Sequence, residues 1–186
     1  MTLFLLILNQ PQAAGAILRG TPPWVWGLLA GLLALGFSQA RDRTASVTRI
    51  AVMPVAMTVF ALWGLVTAFG ASVMFAAVVA TWLGAALVPA LAIGLRGRPD
   101  GVRYEPEARR FSLPGSWVPM ALIAGIFLTK YAVGVELALQ PNRVLDTAFA
   151  LTVAAVYGVF SGIFTGRALR LLRLAARPLS ANIQTA

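Results

Sequence analysis

At 186 residues, with 59% hydrophobic and only 11% charged side chains, the chain is too poor in charge for a soluble domain, in which about a quarter of residues are charged. The net charge of +9 sits in residues that flank apolar runs, which membrane topology explains without a nucleic-acid partner, and none is expected. With no cysteine and no histidine, disulfides, thiol redox chemistry and thiolate metal sites are excluded, and the commonest metal and haem ligand is missing; no cofactor or metal is expected.

Residues 1–20 contain two apolar patches, Leu3 to Leu8 and Ala13 to Leu18, each too short to cross a hydrocarbon core of about 30 Å. They read as an interfacial segment. A first span follows over about 22–40, with Thr21 placed to cap it, Pro22 suited to its first position, and Trp24 and Trp26 at an interface. Arg41-Asp42-Arg43 ends it. A second span covers about 50–69, with Pro54 in its first turns, and Gly70-Ala71-Ser72 leaves room only for a tight turn into a third span over 73–95, containing Pro89.

Residues 96–116 form the one sizeable polar loop. Alternation in Val102 to Glu105 and Arg109 to Leu113, around Pro106-Glu107-Ala108, predicts a small β-hairpin. An isolated hairpin is marginal in water, so this one must lean on helix ends or the membrane surface. Ser116 can cap a fourth span over 117–139. After a short loop, Asp146 can cap a fifth helix from Thr147 to about Leu174, its spanning part 147–169, followed by a basic tail over 170–186.

Twelve of fourteen arginines fall in three loops or ends on one side, Arg41 to Arg49, Arg96 to Arg110 and Arg167 to Arg177; the other side has Arg19 and Arg143. Arginine-rich loops stay cytoplasmic. The sequence therefore predicts a single integral membrane domain over 1–186: an all-α bundle of five transmembrane helices, N-terminus outside and C-terminus cytoplasmic, with a small cytoplasmic hairpin.

Four sets of residues could carry function. Lys130 lies roughly 20 Å from the cytoplasmic end of the fourth span and roughly 14 Å from the other. An intramembrane charge points to a site unless its stem snorkels to the interface. Tyr157 reaches nearly the same depth on the fifth helix and could accept a hydrogen bond from the ammonium; Tyr131 is a further candidate. Glu136, the only acid within a span, is six residues from Lys130, on another face, and lies near a hydrated boundary. A stripe of small residues, Ala150, Ala154, Gly158, Gly162 and Gly166, allows close helix approach, either within the bundle or in a homodimer, with Ser161 and Thr165 placed to hydrogen-bond across the contact. Arg167, Arg170, Arg173 and Arg177 form one basic face for anionic headgroups.

Trp24-Val25-Trp26, Gly36 to Arg43, Gly101-Val102-Arg103-Tyr104, Arg109-Arg110-Phe111, Pro114 to Pro119, Phe127 to Gly134, Tyr157-Gly158, Ser161-Gly162 and Gly166 to Arg170 together resemble a family of small uncharacterised bacterial inner-membrane proteins. The resemblance implies a multi-pass protein of the bacterial inner (plasma) membrane and supplies no activity. The Gly-Ser-x-x-Pro and Lys-Tyr-x-x-Gly pieces are also distantly similar to CcdC-type membrane proteins, associated with cytochrome c maturation; without cysteine or histidine a direct thiol or haem role does not follow. The expected function is a non-enzymatic accessory subunit or small transporter-like module with a polar pocket near Lys130, between the fourth and fifth spans. Its partners would be membrane lipids, a second copy or a larger membrane complex. Two other readings stand beside it: an intramembrane enzyme acting on a lipid or isoprenoid phosphate, and a purely structural membrane dimer.

Overall fold

The computed structural model describes residues 11–97 and 99–176. Residues 1–10 of the expected interfacial segment, Arg98, Arg177 and the remainder of the basic tail lie outside the described residues. The described chain is mostly helical: α1 (Pro11–Gly20), α2 (Pro23–Ser38), α3 (Val47–Phe69), α4 (Phe75–Gly94), α5 (Val118–Leu139) and α6 (Thr147–Ala175), with strands β1 (Arg43–Ser46), β2 (Arg103–Glu105) and β3 (Arg110–Leu113). A 3-10 turn, Pro141–Leu145, precedes α6.

Helices α3, α4, α5 and α6 are each long and apolar enough to cross a membrane. Helix α2, at 16 residues, covers about 24 Å and falls short of a full core unless its bent lead-in is counted. Ala14–Gly20 meets Pro23–Ser38 at an angle of 93°, and this bent pair is the fifth candidate span. Large apolar side chains face outward on several helices, Trp24 and Trp63 each being 68% exposed. Water would penalise so much exposed apolar surface, whereas hydrocarbon does not, and these helices suggest a membrane protein.

Local chemistry sets the helix ends. Pro22 is the N-cap of α2 and Pro23 its first residue, so the start needs no N–H partner there, and Thr21 is not the expected cap. Its hydroxyl instead donates to Ile17 O at 2.8 Å and lies 2.6 Å from Tyr131 Oη. Ser46 accepts from Arg49 N and starts α3 a turn before the expected Ile50. At the head of α5 the N-cap position is Trp117, with Ser116 Oγ accepting from Val118 N.

Asp146 caps α6 as expected, accepting from Ala148 N at 3.0 Å and Phe149 N at 3.2 Å. The Phe149 N–H above all, helped by Arg143, holds this carboxyl below its ordinary value. A depressed folded value means the stabilisation is fully present above the unfolded value near 3.9 and is lost as pH falls through the folded one. Asp146→Ala is therefore expected to lower the thermal midpoint at neutral pH, with the deficit shrinking as the pH drops below that of an ordinary carboxylate. A deficit constant down to strong acid would refute the assignment.

The expected hairpin forms from β2 and β3, but it belongs to a three-stranded antiparallel sheet in the order β1-β3-β2. Arg43 pairs with Leu113 and Ser46 with Arg110 on one side of β3; Arg103 pairs with Ser112 on the other. Phe111 is fully buried among Ala45, Ile50, Ala168 and Leu174. A third strand and the end of α6 supply the support that two strands alone lack.

In the bundle, α6 packs on α4 and α3, while α2 packs on α5. A Cβ at Gly36 would lie 2.9 Å from Met120 Cγ, which marks how closely α2 approaches α5. The central core of Leu65, Phe69, Val78, Trp82, Val153 and Ala154 sits between α3, α4 and α6.

Candidate functional site around Lys130

Lys130 does not meet Tyr157 as the sequence suggests. Its Nζ lies 4.2 Å from the centroid of the Phe60 ring and 5.0 Å from that of Tyr157, so ring faces, rather than the phenol oxygen, receive the ammonium. Ring quadrupoles attract a cation in this geometry, more strongly where water is excluded. Gly64, one turn beyond Phe60 on α3, provides the room: a Cβ there would stand 2.7 Å from Nζ and 3.4 Å from Tyr157 Cε2. The ammonium is thus directed into the seam of α3, α5 and α6. Among the described residues no carboxylate pairs with it.

The same lysine lines a crevice of about 960 Å³ formed by α2, α3, α5 and the α1–α2 elbow. Its walls are almost wholly apolar, among them Leu28, Met57, Phe60 and Ile126. Polar residues in its lining are Lys130, whose ammonium is turned to the seam, and the Thr21–Tyr131 pair. Tyr131 is further oriented by stacking on Phe127, with centroids 6.2 Å apart and planes 9° from parallel. So Lys130 and Tyr131 line one crevice, and Tyr157 touches Lys130 from the opposite side, where a much smaller space of about 20 Å³ lies between α3, α5 and α6.

Glu136 belongs elsewhere. It is 6% exposed, not hydrated, and its Oε1 lies 3.2 Å from Arg143 Nη2. Arg143 also donates to Gln140 Oε1 at 3.2 Å and to Asp146 Oδ2 at 3.0 Å, tying the 140–146 loop together. The expectation of hydration failed because the 3-10 turn folds Arg143 back over the last turn of α5.

The small-residue stripe faces α4. Cβ atoms at Gly158, Gly162 and Gly166 would run into the Trp82, Ala86 and Ala90 carbonyl oxygens respectively, and Ala154 is fully buried against the same helix. Ser161 does not reach across this contact; its hydroxyl donates to Tyr157 O of its own helix at 2.9 Å. Of the basic face, Arg170 Nε donates to Gly97 O at 2.7 Å and Arg173 Nη1 to Gly94 O at 2.9 Å. These cations satisfy carbonyls at and just beyond the C-terminus of α4. Arg167 turns toward a second cavity under the sheet.

Phe60, Gly64 and Thr21 are the site residues that sequence reasoning missed. Phe60 lies nine residues before the end of α3, as Lys130 does before the end of α5, and Tyr157 lies ten after the start of α6. Equal depth from one end of the bundle is the signal that could have found it.

A family model described as a family of unknown function, DUF6622, matches residues 1–182, so the chain belongs to that family. No curated protein and no solved structure matches it, and the distant likeness to CcdC-type proteins gains no support from them.

Proposed function

We propose that this DUF6622 member is a five-span protein of the bacterial inner membrane, N-terminus outside and C-terminus cytoplasmic. It works as a non-enzymatic accessory subunit or small transporter-like module, holding the hydrocarbon chain of an acidic amphiphile in the crevice beside Lys130. The observation that carries the reading is that crevice, about 960 Å³ of almost wholly apolar space with Lys130 in its lining. Apolar walls accept an acyl or prenyl chain, and a few polar groups fix its head. A cation at this depth is costly, which an acidic head on the ligand would offset. The orientation follows from the arginine count, with the α1–α2 pair as the fifth span.

The competing enzyme reading needs Lys130 and the cytoplasmic arginines around one reacting group. They line two cavities that share no residue, which favours holding over chemistry at Lys130.

The test uses oleic acid as the probe, titrated into the purified protein in phosphatidylcholine nanodiscs. Lys130→Met is expected to weaken binding about tenfold, the worth of one charge-assisted hydrogen bond. Leu28→Trp, filling the crevice from α2, is expected to abolish it. Wild-type affinity in both variants would sink the reading.

A further inference from the structure

The second cavity, of about 520 Å³, lies between the sheet and the helix ends and is lined by five arginines; Arg170 donates to Gly97 O, and the other four come from four different elements. Arg43 comes from β1, Arg49 from the first turn of α3, Arg96 from just beyond α4, and Arg167 from the last third of α6. Asp100 also lines the cavity, but among the described residues no acid comes within ion-pair distance of any of the four. Asp42, the acid next to Arg43 in sequence, is not in the lining and accepts from Gly115 N at 2.8 Å. Glu136 and Asp146 are engaged by Arg143 at the opposite end of the bundle.

Arg43, Arg49 and Arg167 are also close enough to feel one another. Burial first, then Arg49 and Arg167, pull the Arg43 guanidinium below its ordinary value. Guanidinium groups gathered without counter-charge repel, so the arrangement is unfavourable unless an anion completes it. The backbone that carries Arg43 is held in place: it pairs with Leu113, and Ser116 N donates to Gln39 O at 3.0 Å, joining the strand entry to the head of α5.

We propose that this cavity is a binding site for a phosphate group, held by Arg43, Arg49, Arg96 and Arg167. Several planar N–H forks lining one cavity suit the three or four oxygens of a phosphate, whereas a single carboxylate would satisfy fewer of them. The phosphate is either the headgroup of a phospholipid entering from the membrane or a free phosphate from the aqueous side. This site is separate from the crevice at Lys130 and does not depend on how that crevice is used.

Two probes separate the sources. Phosphatidic acid is incorporated in phosphatidylcholine nanodiscs, with diacylglycerol of the same chains as its reference. Inorganic phosphate is added against chloride at matched ionic strength. Retention of phosphatidic acid is read by native mass spectrometry, and protection by phosphate from the thermal midpoint. Arg43→Gln and Arg49→Gln are each expected to lose about tenfold in the response of whichever probe binds. Arg41→Gln, exposed and outside the cavity, should respond as the wild type does. Should Arg43→Gln fail to fold, the exposed Arg49→Gln decides alone. A response to phosphatidic acid only assigns a headgroup; an equal response to inorganic phosphate assigns the free ion. Response to neither probe, or an equal loss in Arg41→Gln, overturns the proposal in favour of diffuse surface attraction.

Discussion

Gly162→Ile is expected to unfold the bundle rather than to change its oligomeric state. A Cβ at this position would lie 2.6 Å from Pro89 Cγ and 2.9 Å from the Ala86 carbonyl carbon, and would drive into the Ala86 carbonyl oxygen itself. Two of those three atoms are backbone, and the third belongs to a ring that cannot rotate away. The α4–α6 contact must therefore open along its length, because Gly158 and Gly166 seat the same two helices one turn to either side. Overpacking of this kind costs about 3 kcal/mol where side chains can shift, and more where they cannot. The expected result is little folded protein after extraction, or a thermal midpoint lowered by many degrees. Gly84→Ile is the control: it lies on α4 itself with nothing near its Cβ direction, and should melt with the wild type. A Gly162→Ile protein that melts normally but runs as a smaller particle in detergent would show instead that the stripe joins two copies.

The helices were legible because a bilayer imposes long apolar runs, and the short turn at Gly70 to Ser72 admits no other reading of α3 and α4. The hairpin was legible from alternation around Pro106. Strand β1 was not: Arg43–Ser46 is four residues long, its partner β3 is some seventy residues away, and nothing local marks pairing at that range. The role of the glycine stripe could be narrowed to close packing, but the identity of the partner helix depends on which spans are neighbours. Lys130 announced itself as a charge in an apolar run. Its surroundings did not, since Phe60 and Gly64 are ordinary residues of a span until the depths of three helices are compared. The crevice is harder still, because it is defined by the bend between α1 and α2 and by where α2 stands beside α5. The convergence of Arg43, Arg49, Arg96 and Arg167 likewise comes from folding β1 and the ends of three helices to one place.

Arg143→Met should be nearly as damaging as the glycine change, although it touches neither cavity. Its guanidinium reaches Glu136 at 3.2 Å and Asp146 at 3.0 Å, with Gln140 between them, so one side chain satisfies an entire loop. Removing it takes the Arg143 cation from the Glu136 carboxylate, which is only 6% exposed. Stranding one member of a buried pair costs about 3 kcal/mol, much more than the pair contributes when intact. Asp146, half-buried at the helix start, keeps its backbone partners and loses less. The consequence is a specific pattern in thermal melts of the protein in nanodiscs. Arg143→Met should be strongly destabilised, and Glu136→Gln only mildly, since a neutral amide is tolerated beside the arginine. The double variant should recover most of the loss in Arg143→Met, because the charge that needed the arginine is gone. Additive losses in the double variant would mean that Arg143 acts through the loop alone and that Glu136 does not depend on it.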